Sequence, residues 1–181
     1  MMVNIRPYQE NDSEPAGKLI AATYRKYNLS FVSPVEQGAY LGPFQFADST
    51  DESHQADIAR ALQASMVYVA ENEQGEIVGI LRGKKDRLHS LFVRGDMHHQ
   101  GIGTRLVEHF EQVCLALGRE VIRLASTLYA VPFYQKLGYK KSTGVRAGWS
   151  FAGQDFKWQP MKKILTKKPL PHKTLAAHQE T

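Results

Sequence analysis

Between residues 87 and 125 the hydrophobic pattern changes twice, and that double change limits the fold more than any other feature of the chain. Arg87 to Arg94 (RLHSLFVR) has the β-rich composition of a strand. Past the glycines at 101 and 103, Ile102, Leu106, Val107, Phe110, Val113, Cys114 and Leu117 recur at the spacing of an amphipathic helix that stops at Gly118. Glu120 to Ala125 (EVIRLA) then returns to the pattern of a buried strand. Strand, helix and strand at this spacing imply a parallel pair joined by a right-handed crossover.

The segments before it read differently. Val3 to Tyr8 alternates apolar and polar residues as a first strand, and Ala16, Leu19, Ile20, Thr23, Tyr24 and Tyr27 give a helix capped by Asp12 or Ser13. Leu29 to Asp51 is punctuated by Pro34, Gly38, Gly42 and Pro43, so a structured loop is expected there, followed by a short helix from Glu52 to Gln63. Met66 to Ala70 and Glu76 to Arg82 form a hairpin about Gly75, and with Arg87 to Arg94 they make an antiparallel meander. A short helix over Ala130 to Leu137 and one or two strands over Trp149 to Leu165 complete the chain. The fold class is therefore α/β, with a mixed, mostly antiparallel central sheet and flanking helices.

At 181 residues the chain has the length of one domain, placed at 1–165, with 166–181 as a basic and flexible tail. The formal net charge is +5, but five lysines and one glutamate fall in residues 162–181, which leaves the rest near +1. No nucleic-acid groove is implied by a body so nearly neutral. Cys114 is the only cysteine, so no internal disulfide forms, and its place on the helix's apolar face reads as inert packing. With no signal-peptide pattern and no run of apolar residues long enough to span a bilayer, neither export nor a membrane is expected, and the location is taken as cytoplasmic.

The glycine turn carries the chemistry. A helix N-terminus leaves backbone N–H groups without partners at the positive end of the helix dipole. Gly101 and Gly103 let the backbone approach an anion closely, so the amides from Gln100 to Thr104 can converge on a pyrophosphate. Glycines at such a turn also serve geometry alone. Two other phosphate motifs are excluded: Leu106 stands where a dinucleotide fingerprint needs a small residue, and no Gly-Lys-Ser/Thr is present.

His98-His99-Gln100-Gly101-Ile102-Gly103, directly after Leu91-Phe92-Val93, resembles the Gln/Arg-x-x-Gly-x-Gly/Ala signature of the GNAT acetyltransferase superfamily. Ala130 to Tyr139 (AVPFYQKLGY) is similar to that family's A-x-x-F-Y-x-x-L-G-F/Y segment, and the resemblance spans about residues 3 to 165. Two positions depart from the pattern: His98 replaces Gln or Arg, and Thr127 replaces an Asn that contacts pantetheine in many members.

The resemblance implies an N-acetyltransferase with acetyl-CoA as cosubstrate and an amine of a small molecule or peptide as acceptor. Leu91, Phe92, Val93, His98, His99, Gln100, Gly101, Ile102, Gly103, Thr104 and Thr127 would bind the cofactor, and Tyr134 would act as general acid toward the departing sulfur. It allows a homodimer. Arg87 occupies the position of a glutamate base found in some members, and a guanidinium cannot accept a proton at neutral pH. His89, Glu71 or water are the alternatives. His98 and His99 have no further ligand at metal spacing, so no metal is expected. Phe31, Tyr40, Phe44 and Phe46 are candidates for an apolar acceptor pocket, beside the plainer reading as packing under a long loop. Two other function classes are left open: a non-catalytic acyl-CoA-binding regulatory module, and a nucleic-acid binder using the basic tail, which would bind in a strongly salt-dependent way.

Overall fold

The expected meander forms. In the computed structural model, which describes residues 2–166, β1 (Asn4–Pro7), β2 (Met66–Glu71), β3 (Ile77–Lys84) and β4 (Arg87–Val93) lie side by side, each antiparallel to the next. β5 (Val121–Thr127) follows as the parallel neighbour of β4, and β8 (Gly153–Ile164) runs antiparallel beside it. Two further strands, β6 (Lys140–Lys141) and β7 (Arg146–Ser150), pair with β8, for eight strands among the described residues.

Helices cover both faces because the sheet presents apolar residues on both. α1 (Ser13–Asn28) and α3 (Glu52–Leu62) bury Ala16, Leu19, Ile20, Tyr24, Ile58 and Leu62 against Ile77 and Ile80. On the other face, α4 (Ile102–Ala116) buries Ile102, Leu106, Val107, Phe110 and Cys114 against Val78, Leu81, Leu88 and Ile122. α4 is the crossover between β4 and β5, as its sequence period implies. Burial, with Asp86 and Glu111 nearby, pushes the Cys114 thiol up to about 11, which keeps it protonated and unreactive.

One expectation needs adjustment, and one strand was unforeseen. The punctuated stretch after α1 holds a short helix, α2 (Gln37–Leu41), and a 3-10 turn over Gly42–Phe46. Both are too short to show a hydrophobic period, and Gly42 at φ 54° marks the break between them. The two-residue strand β6 was likewise invisible to a pattern that needs several alternations. The flexible tail expected over 166–181 lies outside the described residues, apart from Thr166. No helix among the described residues is long and apolar enough to cross a membrane.

One ion cluster fixes how α1 enters the fold. Asp12, just before α1, is 4% exposed and accepts Arg6 Nη1 and Nη2 at 2.7 and 2.8 Å, while Arg6 Nε reaches Glu71 at 2.7 Å. Burial pushes the Asp12 carboxyl up, but the bonds from Arg6 and from the Gln9 amide outweigh it and hold the carboxyl below its ordinary value. β1, β2 and the start of α1 are thereby joined at one point. Asp12→Asn keeps the shape and removes the charge, so at pH 7 it should destabilise the fold by about 1–3 kcal/mol. A depressed folded-state pKa contributes stability above the unfolded-state value and loses it as pH falls through the folded one. Denaturant titrations should therefore show the gap between variant and wild type closing in acid below the usual carboxylate range; a pH-independent gap would contradict this account.

Candidate active site

β4 and β5 touch at only one point, where Arg87 lies opposite Arg123 and the Arg123 amide donates to the Asp86 carbonyl at 3.0 Å. Beyond it the strands part. The cause lies in β4, where Arg82 of β3 faces Ser90 but Gly83 faces Leu88, leaving His89 as an extra residue. A bulge of this kind bends its strand. From Leu88 onward β4 is paired along one edge only, and β5 is held instead by β8. The gap is the mouth of a cavity of about 690 Å³ that runs through the sheet between Leu88–Val93 and Leu124–Thr127.

At one end of the cavity lies the start of α4. Gly101 is its N-cap at φ 80°, without a capping side chain, and a Cβ added there would meet nothing within 4 Å. His99 is also left-handed, at φ 63°. Arg105 N–H is bonded back to the Gly101 carbonyl, so the amides of Ile102, Gly103 and Thr104 precede the first intrahelical bond. This is an open, positively polarised helix end suited to an anion. Gly103 answers a different need: a Cβ there would lie 3.2 Å from Phe133 Cζ, so its absence lets α4 close onto α5 (Val131–Lys136).

That contact places the second motif beside the first. The Phe133 ring packs 5.0 Å from the Tyr134 ring, and Tyr134, 6% exposed, lines the cavity. Burial alone drives its pKa well above the ordinary tyrosine value, so the phenol stays protonated and able to donate. Of the residues singled out in the sequence, Leu91, Phe92, Val93, His98, His99, Gly101, Ile102, Gly103, Thr104, Thr127 and Tyr134 line this one cavity. Gln100 does not; its side chain turns back to the Asp96 carbonyl at 3.2 Å. His98 Nε2 lies 2.9 Å from the Val93 carbonyl, which requires Nε2 to donate, and its ring packs at a tilt against Tyr27, 4.6 Å between centroids.

The two candidate bases part company. Glu71 is held by Arg6 at the far side of the sheet and is not among the cavity residues. His89 is at the cavity mouth, and burial together with Arg82, Lys84 and Arg87 lowers its pKa, leaving it neutral and able to accept a proton at pH 7.

Beyond the strand gap, on the α1 face, the cavity is lined by Tyr24, Phe44, Phe92, Phe151 and Trp158. Of the four aromatic residues expected to line such a pocket, Phe44 does so. Phe31 is exposed, Tyr40 packs near Phe156, and Phe46 stacks on His54 at 4.1 Å. Tyr24 is fixed by polar contacts: Ser150 Oγ donates to the Tyr40 carbonyl at 2.9 Å, so the Tyr24 hydroxyl must donate to Ser150 at 2.6 Å. Two buried polar atoms at the cavity have no partner among the described residues, Ser90 Oγ and Asn28 Oδ1. Sequence reasoning missed Ser90, Arg82 and Ser150 here. For Arg82 a signal existed: strand alternation puts it on the face of Ile80, where an apolar residue would be expected.

Comparison with known proteins agrees with this geometry. A curated peptidyl-lysine N-acetyltransferase, YjaB of Salmonella typhimurium (strain LT2), is 28% identical over 144 residues, covering 77% of this chain and 85% of that protein. A GCN5-related N-acetyltransferase from Rhodopseudomonas palustris superposes with a TM-score of 0.73 at 22% identity, covering 91% of this chain and 97% of that one. The PaiA N-acetyltransferase of Thermoplasma acidophilum, solved in complex with coenzyme A, gives 0.60 at 16% identity, over 91% and 100% of the two chains. Residues 43–165, more than half of the chain, match the acetyltransferase (GNAT) domain family, and the protein belongs to that family of acetyl-CoA-dependent acyltransferases.

Proposed function

We propose that this chain moves an acetyl group from acetyl-CoA directly to a primary amine of a small molecule or peptide. One observation carries the reading: a single cavity passes through the sheet, with an uncapped helix start on one side, a buried phenol along it and an aromatic chamber on the other. The residues fit the cosubstrate. The amides of Ile102 to Thr104 suit its pyrophosphate, and the unpaired edge of β4 offers backbone groups to the amides of the pantetheine arm.

Transfer requires the acceptor nitrogen to be neutral when its lone pair forms the new C–N bond at the acetyl carbon. His89 takes the surplus amine proton at the cavity mouth. Backbone N–H groups along β4 are placed to stabilise the oxyanion that forms as the carbonyl bond opens. When the C–S bond breaks, Tyr134 donates its phenolic proton to the sulfur, and the proton gathered at His89 returns to the phenolate through solvent. The balance is one acetyl-CoA and one amine consumed, one amide and one CoA thiol formed. Because the YjaB relative is named a peptidyl-lysine N-acetyltransferase, a lysine peptide belongs in any acceptor panel.

Three variants test the assignment. Gly101→Glu places a carboxylate where the phosphates belong, whereas Gly101→Ala bears the same positive-φ strain without the charge. By calorimetry, acetyl-CoA affinity should fall at least about tenfold further in the glutamate variant than in the alanine one; equal affinities in two folded variants would remove the phosphate site. Tyr134→Phe should lower kcat by about 10²–10⁴ with little change in acetyl-CoA Kd or Tm, as expected for loss of a general acid. Wild-type kcat in that variant, with chemistry rate-limiting, would return Tyr134 to a packing role. A chain that binds acetyl-CoA but releases no CoA with any amine would be a binding module instead.

A further inference from the structure

The acceptor chamber holds an unbalanced charge. Arg82 lines it on the α1 face, His89 at the mouth is neutral, Lys136 belongs to α5 on the opposite face, and among the described residues no aspartate or glutamate lines the cavity. Arg82 is partly buried on β3, where Nε donates to the Leu62 carbonyl at 3.0 Å and Nη2 to the Gln63 carbonyl at 3.4 Å. Other arginines of the sheet differ. Arg6 is bonded to Asp12 and Glu71, and Arg94 to Glu76 and Asp96, whereas no carboxylate among the described residues bonds to Arg82. Burial lowers the pKa of the Arg82 guanidinium, with no anion acting against it, yet leaves the group charged at neutral pH.

Ser90 is the second observation. It lies directly across from Arg82 in the β3–β4 ladder, so both side chains emerge on the face of α1 and α3. Its buried Oγ has no hydrogen-bond partner among the described residues. A guanidinium short of an anion next to a hydroxyl short of a partner, both at a cavity wall, is an arrangement that a carboxylate completes, since it accepts from both. The phosphates of the cosubstrate are not that anion, because the start of α4 lies on the opposite face of the sheet.

Resting on the acetyltransferase reading, we propose that the acceptor is an amine carrying its own carboxylate on an apolar or aromatic body, with Arg82 and Ser90 receiving the carboxylate. Tyr24, Phe44, Phe92, Phe151 and Trp158 enclose the body, and the amine is left to face the gap between β4 and β5. Polycationic amines are disfavoured, since they would bring further positive charge beside the Arg82 guanidinium, with no carboxylate lining the cavity among the described residues.

The test uses the full chain, acetyl-CoA and three matched acceptors: phenylalanine, phenylalanine amide and phenethylamine. Phenylalanine should show a kcat/KM at least about tenfold above the other two, the loss expected when a charge-assisted hydrogen bond is missing. Arg82→Gln should cut phenylalanine turnover at least about tenfold more than phenethylamine turnover. If Arg82 only braces the end of α3, all three acceptors fall in parallel and Tm falls with them, which overturns the proposal. A binding readout keeps the question separate from catalysis: 3-phenylpropionate should raise the Tm of the wild type and not of Arg82→Gln, while 3-phenylpropanamide should raise neither. Equal shifts from acid and amide, or preference for a lysine peptide over every carboxylate-bearing amine, overturn the carboxylate site and leave the acetyltransferase standing. Carboxylate-dependent Tm shifts without CoA release from any amine would overturn the acetyltransferase reading and leave the site.

Discussion

The single bridge between β4 and β5 governs the rest of the molecule. A parallel pair of seven-residue strands would ordinarily share a ladder along its length, yet here Arg87 and Arg123 meet and the strands then separate. Two conditions make this stable. The extra residue at His89 bends β4 away, and β8 supplies β5 with the antiparallel partner that β4 does not. Apart from the Val93 carbonyl, which accepts from His98 Nε2 and Thr23 Oγ1, the backbone groups left without a ladder partner are those along the cavity. An ordinary sheet-closing interaction has thus been withheld at the place where a substrate can supply it.

From that opening the functional groups follow by position. α4 must begin just beyond the end of β4, which puts its uncapped amides at one rim, and Gly103 lets Phe133 and hence Tyr134 approach. α1 crosses the other face and brings Tyr24, with Arg6 and Asp12 fixing its starting point. Charge varies along the cavity: the dipole of α4 at one rim, a neutral histidine at the mouth, and on the α1 face a guanidinium with no carboxylate partner among the described residues. Each is produced by a different element, so no single substitution alters all three.

Much of this was legible in the residue order. The helix period between two strands gave the crossover, and the glycine turn with the AVPFYQKLGY segment named the family and placed eleven of the twelve proposed site residues on one cavity. What was not legible depends on register. A bulge at His89 leaves no mark in a seven-residue run, since one extra residue reads as ordinary strand. Hence Glu71 on β2 and His89 on β4 were indistinguishable as bases, although one sits in an ion cluster and the other at the cavity mouth. Ser90 and Arg82 become partners only through cross-strand pairing, and the α2 region is built from turns too short for any period to show.

Open strand edges are usually a hazard, because an unpaired row of N–H and C=O groups invites a strand from another chain and so promotes aggregation. Proteins commonly protect such edges with charge, proline or a covering helix. Here the unpaired edges of β4 and β5 lie in the interior of the sheet, facing one another, with α1 on one side and α4 and α5 on the other. A second polypeptide would have to carry side chains into a slot already walled by Leu91, Val93, Leu124 and Phe133. A narrow, flexible amide chain meets no such obstacle. The same walls that make the slot selective for its substrate therefore also keep the protein from polymerising through it.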